Sequence, residues 1–356
     1  MHNNAFSVTA VRACLSRALL PVSGANGYES ANNHAGVARH FRPSVVPEHV
    51  LITTDGSTLA GRAVPLAVGA IQACDCDQVT LLRVLSDHGE GVRPVQALEW
   101  ELARAHAEAD LRRLAARFGP LADRIEQVVA EGRAAEQILR FVETHDVDLV
   151  VMAAHGSDDS RGWRMGSVAR KVVASGRVSV LMVPTEVEDG RIDRVLLPLD
   201  CSARAECVLP LVGKLADVHD AEFVLVHVVP RPELSHRLPA GARDRELVEE
   251  LIGRNRRRAE AYLHSVRERL VSRGARVELE LLVDDHPARA IEQYAINSGA
   301  DLVLLSAHGS GGHEREAYGS LAQRMLETLV KPLWIVQDLP QPRPTTQDEH
   351  GSGERS

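Results

Sequence analysis

Two glycine-serine loops carry the residue types and spacing that could do chemistry in this chain. In the first, His155-Gly156 is followed after nine residues by Gly166-Ser167; in the second, His308-Gly309 is followed after nine residues by Gly319-Ser320. Glycine lets a backbone turn sharply and approach a ligand closely. A Gly-Ser pair that opens a helix leaves N–H groups and the positive end of the helix dipole facing the loop, which suits a phosphate. The serine can also cap the helix.

Each loop follows a run of apolar residues typical of a buried strand. These runs begin after Asp148 and Asp301 and read LVVMAA and LVLLSA. Consecutive Val and Leu residues indicate a strand that is covered on both faces, as in a parallel sheet. One glycine-rich loop would be weak evidence, but two copies with one internal spacing, each after such a strand, are much stronger. The sequence therefore predicts an internal repeat with two phosphate-binding loops.

Composition excludes several classes of protein. The 356 residues are enough for roughly two domains, and 44% hydrophobic with 25% charged residues is ordinary for a globular protein. A net charge of −8 and an aromatic content of 3% argue against a nucleic-acid partner. No apolar run approaches the roughly 20 residues of a membrane span. The five cysteines match no zinc pattern and favour a reducing, cytoplasmic location.

Strand and helix patterns alternate through both halves of the chain. Asp200 stands where Asp55 stood, 145 residues later, and Pro65 and Pro210 share that offset. Both prolines are predicted inside the first helix of their half, where proline usually causes a kink. The predicted strands are 49–53, 79–85, 125–130, 149–153 and 178–183, then 194–199, 223–229, 277–283, 302–305 and 333–336.

This alternation predicts an α/β fold of two tandem, open, twisted, parallel five-stranded sheets with helices on both faces. Ligands of such sheets bind outside the carboxyl ends of the strands, at the switch point. The aspartate after strand one and the glycine loop after strand four both lie at carboxyl ends.

The predicted domain boundaries follow changes in composition. The sequence predicts a disordered leader at 1–47 and a first domain at 48–186. A polar linker at 187–193 leads to a second domain at 194–338. The tail at 339–356 is rich in Pro, Gln, Ser and Gly and is predicted to be disordered.

These residues resemble the universal stress protein family in its tandem two-domain form, over about residues 48–338. The family's nucleotide signature is Gly, two residues, Gly, nine residues, Gly, then Ser or Thr. Its second and third glycines match Gly156 and Gly166 in the first copy, and Gly309 and Gly319 in the second. The resemblance implies a Rossmann-like fold of the adenine-nucleotide alpha-hydrolase-like type. It also implies ATP, alone or with Mg²⁺, as the ligand.

The resemblance also assigns further site residues. It places Asp55 and Asp200 near the ribose or a bound magnesium, and the backbone of Val84 and Val228 against the adenine. Where the signature has its first glycine the chain has Ala153 and Ser306, for which a positive φ would be costly. The implied nucleotide-binding set is Asp55, Val84, Ala153, Gly156, Gly166, Ser167 and Val168, then Asp200, Val228, Ser306, Gly309, Gly319, Ser320 and Leu321. No catalytic residue or metal ligand is predicted.

The two loops differ in charge. Asp158 and Asp159 should repel a triphosphate in the first loop unless a divalent ion intervenes or they point outward, and Arg161 and Arg164 offset them in part. The second loop begins without acidic residues, with the sequence SGGH at 310–313, although two glutamates follow. We therefore expect both sites to form and the second to bind at least as well.

Several alternatives stay open at this point. Asp55 and Asp200 could cap the following helix, and His155 and His308 could contact phosphate or serve as hydrogen-bonded structural residues. The resemblance implies a stress or growth-arrest regulator that works through nucleotide-dependent conformation or partner choice. It also implies a homodimer in which the two halves of each chain pack together through their last strands. The rivals are a nucleotide-free scaffold or holdase, and a weak ATPase or adenylating enzyme. The last would need a Ser-Gly-Gly-x-Asp-Ser loop or a His-Ile-Gly-His element, and neither follows strand one.

Overall fold

The computed structural model describes residues 46–85, 97–155, 165–185, 187, 190–231, 242–311 and 316–338. All of them belong to one compact unit, His40–Ser356. The predicted tail at 339–356 and the predicted leader, apart from residues 46 and 47, lie outside the described residues. So do Gly156 and the acidic pair Asp158-Asp159.

Strands and helices alternate along the described ranges, and the predicted α/β fold is confirmed. The first half contains β1 (His49–Thr54), α1 (Val64–Cys74), β2 (Gln78–Leu85), α2 (Ala97–Ala116), β3 (Ile125–Glu131), α3 (Ala134–Thr144), β4 (Leu149–Ala153), α4 (Ser167–Ala174) and β5 (Ser179–Val183). The second contains β6 (Arg194–Pro198), α5 (Leu209–Val218), β7 (Glu222–Val229), α6 (Ala242–Val271), β8 (Arg276–Val283), α7 (Pro287–Asn297), β9 (Leu302–Ser306), α8 (Ser320–Thr328) and β10 (Leu333–Val336). None of these helices has the length and apolar character needed to span a membrane.

The strands form one sheet in the order β3-β2-β1-β4-β5-β10-β9-β6-β7-β8. Neighbours are parallel within each half, whereas β5 and β10 pair antiparallel, with Trp334 opposite Leu181. The two five-stranded halves are therefore joined edge to edge. In each half the strand order reverses between the first and fourth strands, which is where ligands of open α/β sheets bind.

Two apolar layers cover the sheet, one on each face. Alternate strand residues supply them: Val50 and Ile52 pack in one layer and Leu51 in the other. Helices α1, α2, α5 and α6 contribute to the first layer, and α3, α4, α7 and α8 to the second. Because both faces are buried, the strands read as unbroken apolar runs.

The aspartates that open the repeated motif are structural. Asp148 Oδ2 accepts the backbone N–H groups of Glu48 and His49 at 2.9 and 3.0 Å, and burial raises the pKa of this carboxyl. Asp301 Oδ2 repeats the arrangement at the start of β6, at 3.0 and 2.9 Å. Each aspartate thus fixes the start of the fourth strand of its half against the start of the first.

The predicted proline kinks are wrong. The first helical segment begins as a 3-10 turn at Ala60–Ala63, and Pro65 is the second residue of α1. The second half repeats this with a 3-10 turn at Ala205–Val208 and Pro210 as the second residue of α5. An N–H group in the first turn of an α-helix has no partner within that helix, so proline is tolerated there.

Candidate functional site

A cavity opens at the carboxyl ends of β1 and β4, and an equivalent cavity opens at β6 and β9. Their volumes are about 200 Å³ and about 510 Å³. Small-molecule sites typically measure about 300–1,000 Å³, and the second cavity falls in that range. The predicted residues that line the first are Asp55, Val84, Ala153, Gly166, Ser167 and Val168, and those that line the second are Asp200, Val228, Ser306, Gly309, Gly319, Ser320 and Leu321.

The N-terminus of a helix faces each cavity without a side-chain cap. Gly166 and Gly319 are the N-cap residues, so the predicted serine caps are wrong: Ser167 and Ser320 are the first residues of α4 and α8. The first hydrogen bonds of the two helices, each 3.0 Å long, reach back to the carbonyls of Gly166 and Gly319 from the residue four positions on. The N–H groups of the first three residues of each helix have no partner among the described residues, and such groups bind anions.

The two glycine loops close in the same way. Gly166 N–H donates to the Ala154 carbonyl at 2.7 Å, and Gly319 N–H donates to the Ala307 carbonyl at 2.8 Å. A Cβ built on Gly319 would lie 3.5 Å from that carbonyl oxygen, which is ordinary van der Waals contact. The described residues therefore leave room for a methyl group at Gly319, and no contact among them requires glycine there.

The departures from the family signature do not strain the backbone. Ala153 and Ser306 are the last residues of β4 and β9, and neither has a positive φ. Ser306 Oγ donates to the His308 carbonyl at 2.6 Å, within the turn. Both cavities are therefore formed without the signature's first glycine.

Asp200 connects the loop after β6 to the glycine loop after β9. Its Oδ1 accepts the Ser202 N–H at 3.0 Å, and its Oδ2 accepts the Ser310 N–H at 2.5 Å. Burial alone would raise the pKa of Asp200, but the hydrogen bonds from Ser202 and Ser310 outweigh it and hold the pKa below its ordinary value. A Cβ on Gly309 would overlap this carboxylate, so only glycine permits the contact.

Asp55 makes the equivalent turn in the first half. Its Oδ1 accepts the Ser57 N–H at 2.8 Å, and the Ser57 hydroxyl oxygen accepts the Ala60 N–H at 3.1 Å. In the second half Ser202 Oγ accepts the Ala205 N–H at 3.2 Å. The aspartates thus bond the turn, and the serines two residues later bond the start of the 3-10 segment.

The ionised Asp200 carboxylate should stabilise the fold in a pH-dependent way. Because its folded pKa is lowered, this stabilisation is present above the unfolded value of about 3.9 and is lost as the pH falls through the folded pKa. We expect Asp200→Asn to make the dependence of the unfolding free energy on pH shallower between about pH 5 and pH 3. Denaturant titrations across that range measure the slope, with Asp217→Asn as an exposed control. An unchanged slope would contradict the contact.

Cys201 has a backbone conformation that favours glycine. Its φ is 65°, and Gly56 in the equivalent turn has a φ of 81°. A left-handed conformation costs an L-residue about 1–2 kcal/mol, and the greater freedom of glycine when unfolded offsets about half of that. We expect Cys201→Gly to raise the free energy of unfolding by about 0.5 kcal/mol, as a higher denaturant midpoint. Cys201→Ala keeps the Cβ, and an equal gain there would show that the thiol, not the backbone, is responsible.

His308 is a structural residue of the second loop. It is 1% exposed, donates from Nε2 to the Glu316 carbonyl at 2.8 Å, and pairs through Nδ1 with Asp338 Oδ1 at 2.7 Å. Asp338 Oδ2 in turn accepts from Arg204 Nε at 2.6 Å. The residue at the equivalent position after β5 is Thr185, which has no carboxylate to accept such contacts. His155 instead lines the first cavity.

One side chain joins the first half to the second loop. Gln337 Nε2 donates to the Gly176 carbonyl at 2.7 Å and to the Ala317 carbonyl at 3.3 Å. Its backbone N–H donates to Ser179 Oγ at 3.1 Å. The turn after α4 therefore contacts the segment that leads into Gly319.

Sequence reasoning missed several residues of the cavity walls. Ala134 and Ile138 line the first cavity, and Pro287 and Ile291 line the second at an offset of 153 residues. That offset equals the one between the two glycine loops, so extending the repeat comparison to the third helix would have found them. Glu316 also lines the second cavity, and no repeat signal marks it.

The fold and site together define a tandem α/β protein with Rossmann-like halves and a glycine loop at each switch point. The model described as "Universal stress protein family" matches residues 47–184 and again 191–337. The chain therefore belongs to the universal stress protein family, in a tandem two-domain form.

Three relatives illustrate the similarity. Universal stress protein MJ0577 of Methanocaldococcus jannaschii is 23% identical over 153 residues, which is 40% of this chain and 94% of the relative. A universal stress protein structure from Archaeoglobus fulgidus has a TM-score of 0.56 at 17% identity, over 82% of this chain and 98% of that one. A structure of a putative universal stress protein from Pseudomonas aeruginosa has a TM-score of 0.52 at 15% identity, over 83% and 95%. At these identities the two structures support the fold alone.

Proposed function

We propose that the chain binds ATP, or a related adenine nucleotide with or without Mg²⁺, at both cavities. One observation carries the proposal: two helices without side-chain caps begin at equivalent places beside cavities lined by the residues of the family's nucleotide signature. Free N–H groups and the helix dipole at such an end favour an anion, and the dipole contributes about 0.3–1 kcal/mol.

In the proposed complexes the phosphates, the adenine and the ribose each contact a different part of the cavity wall. Backbone N–H groups of the glycine loop and of the first turn of α4 or α8 hold the phosphates. The ends of β2 and β7, at Val84 and Val228, face the adenine. Asp55 and Asp200 lie towards the ribose or a bound magnesium, and Asp200 also positions the loop through Ser310.

We expect the second site to bind at least as tightly as the first. Its cavity is the larger, at about 510 Å³, and the Asp200 contact holds its loop in place. The carboxylate of Glu316 lines this cavity and would repel a polyphosphate. A bound magnesium would reduce that repulsion.

The proposed role is regulation rather than rapid turnover. Nucleotide occupancy would set the conformation or the choice of partner in a stress or growth-arrest response, in the cytoplasm and as a homodimer. The four described cysteines are free thiols, as a reducing compartment requires.

Nucleotide content and titration test the proposal directly. The protein is purified without added nucleotide and denatured, and any released nucleotide is identified by chromatography and mass. The same preparation is titrated calorimetrically with ATP and Mg²⁺. A dissociation constant of about 1 μM corresponds to a binding free energy of about −8 kcal/mol, which is plausible for a loop and helix terminus that bind phosphates through backbone N–H groups. Near two nucleotides per chain is the expected result.

Single-site variants separate the two halves. Gly166→Val and Gly319→Val should each remove one equivalent, because a branched side chain would fill the space between the loop and the helix. No release and no titration signal would overturn nucleotide binding and leave a nucleotide-free scaffold. Rapid, stoichiometric adenylate transfer would instead make the protein an enzyme.

A further inference from the structure

A further cavity adjoins the second nucleotide cavity. Its volume is about 490 Å³, and it lies between the first turns of α7 and α8. Both cavities share the wall formed by Pro287, Ser320 and Leu321. A group held at the N–H of Ser320 is therefore at the boundary between the two.

Two cationic side chains, Arg289 and Arg324, line this cavity. Arg289 is exposed and has no hydrogen-bond or ion-pair partner among the described residues. Within the described ranges Arg324 forms an ion pair only with Glu327, at 3.2 Å between side chains that are 58% and 52% exposed, and such exposed pairs are weak. Asp285 is the one acidic side chain among the described lining residues. Two guanidinium groups are thus available to an anion, and their planar donor geometry suits phosphate.

The first half differs at one of these two positions. Glu136 is the third residue of α3, as Arg289 is of α7, and it pairs with Arg133 at 3.2 Å. Lys171 of α4 corresponds to Arg324 of α8, so that cation is kept. Asp285 and His286 of the second half also correspond to different residues in the first, Gly132 and Arg133. At the position of Arg289 itself, the cation is replaced by the carboxylate of Glu136.

We propose that Arg289 and Arg324 form a terminal-phosphate subsite, which makes the second domain select nucleotides with longer phosphate chains. The inference rests on the proposed function and specifies the ligand of that site. The first phosphates lie at the glycine loop and the N–H of Ser320, and the chain continues past Ser320 into the cationic cavity. A monophosphate does not reach the two arginines, whereas a triphosphate does. The first domain has Glu136 at the position of Arg289 and therefore discriminates less between triphosphates and monophosphates.

Matched titrations measure the selectivity of the second site alone. The full-length Gly166→Val variant is titrated with ATP and with AMP at one magnesium concentration. Arg289→Glu is expected to lower the ratio of ATP affinity to AMP affinity about tenfold, and Arg289→Lys by less, because lysine keeps the charge without the planar fork. Arg273→Glu makes the same change of net charge at the amino end of β8 and should leave the ratio as it was.

The reverse exchange tests for a gain of selectivity. In the Gly319→Val background, where the first site alone binds, Glu136→Arg should raise the ratio of ATP affinity to AMP affinity several-fold. Raising the ionic strength should lower the ratio at the second site more in the parent than in Arg289→Glu, because the contact is exposed to solvent.

The outcomes separate this inference from the proposed function. If ATP binds but Arg289→Glu leaves the ratio unchanged, the terminal-phosphate subsite is wrong and nucleotide binding stands. If neither nucleotide binds to any variant or to the wild type, both fall.

Discussion

Replacing Gly309 with alanine is expected to lower the nucleotide affinity of the second site about a hundredfold. A Cβ at this position would overlap the Asp200 carboxylate, whose Oδ2 accepts the Ser310 N–H at 2.5 Å. Asp200 or the loop must then move, and either movement breaks that hydrogen bond and displaces the N–H groups that we propose bind phosphate. Losing the charge-assisted hydrogen bond and the loop position together should cost roughly 3 kcal/mol of binding free energy, which is about a hundredfold in affinity.

The same loop offers a matched control. A Cβ on Gly311 would meet nothing within 4 Å, so Gly311→Ala changes the loop by one methyl group without a collision. Calorimetric titration in the Gly166→Val background compares the two variants at the second site. Wild-type affinity in Gly309→Ala would contradict the role of the Asp200 contact.

Replacing Asp338 with alanine is expected to lower the free energy of unfolding by about 3 kcal/mol. The Asp338 side chain is 6% exposed, and it partners His308, whose side chain is fully buried, and Arg204, whose side chain is 33% exposed. Removing the carboxylate leaves a buried imidazole nitrogen without its acceptor and a partly buried guanidinium without its counter-charge. Breaking a buried pair in this way costs more than the pair itself contributes.

Denaturant titration measures this effect as a fall in the midpoint at constant slope. Thr185→Ala at the equivalent position of the first half removes no ion pair and should change stability by less than about 0.5 kcal/mol. Because His308 also holds the Glu316 carbonyl, Asp338→Ala should weaken nucleotide binding at the second site but not at the first. Equal stability of Asp338→Ala and Thr185→Ala would show that the His308–Asp338–Arg204 cluster is not a stabilising unit.

Local sequence patterns were enough to predict the strands and their order along the chain. All ten predicted strands agree with the observed ones within one residue at each end, because such strands read as apolar runs ended by polar or glycine residues. The predicted site residues converge for a related reason. Residues such as Asp200 and Gly309 follow parallel strands, and the carboxyl ends of such strands meet at one edge of the sheet.

Helix starts were predicted less well than strands, because they depend on backbone geometry as well as composition. Pro65 and Pro210 sit in the first turn of an α-helix because a 3-10 turn precedes each of them, and composition does not distinguish that from a kinked helix. Ser167 and Ser320 looked like helix caps, but the preceding glycine takes that position in each copy, which places the hydroxyl one residue inside the helix.

The sequence by itself determined the repeated α/β fold and the two loops beside their cavities, because period and spacing are local properties of the chain. Only the tertiary structure decided how Asp200 holds Ser310, 110 residues away, and how Asp338 holds Arg204, 134 residues away. It also decided that β5 and β10 pair antiparallel, with Trp334 opposite Leu181, and that Arg289 lines the same cavity as Arg324. Such contacts depend on where packing brings distant segments together, and a single sequence carries no local signal for that.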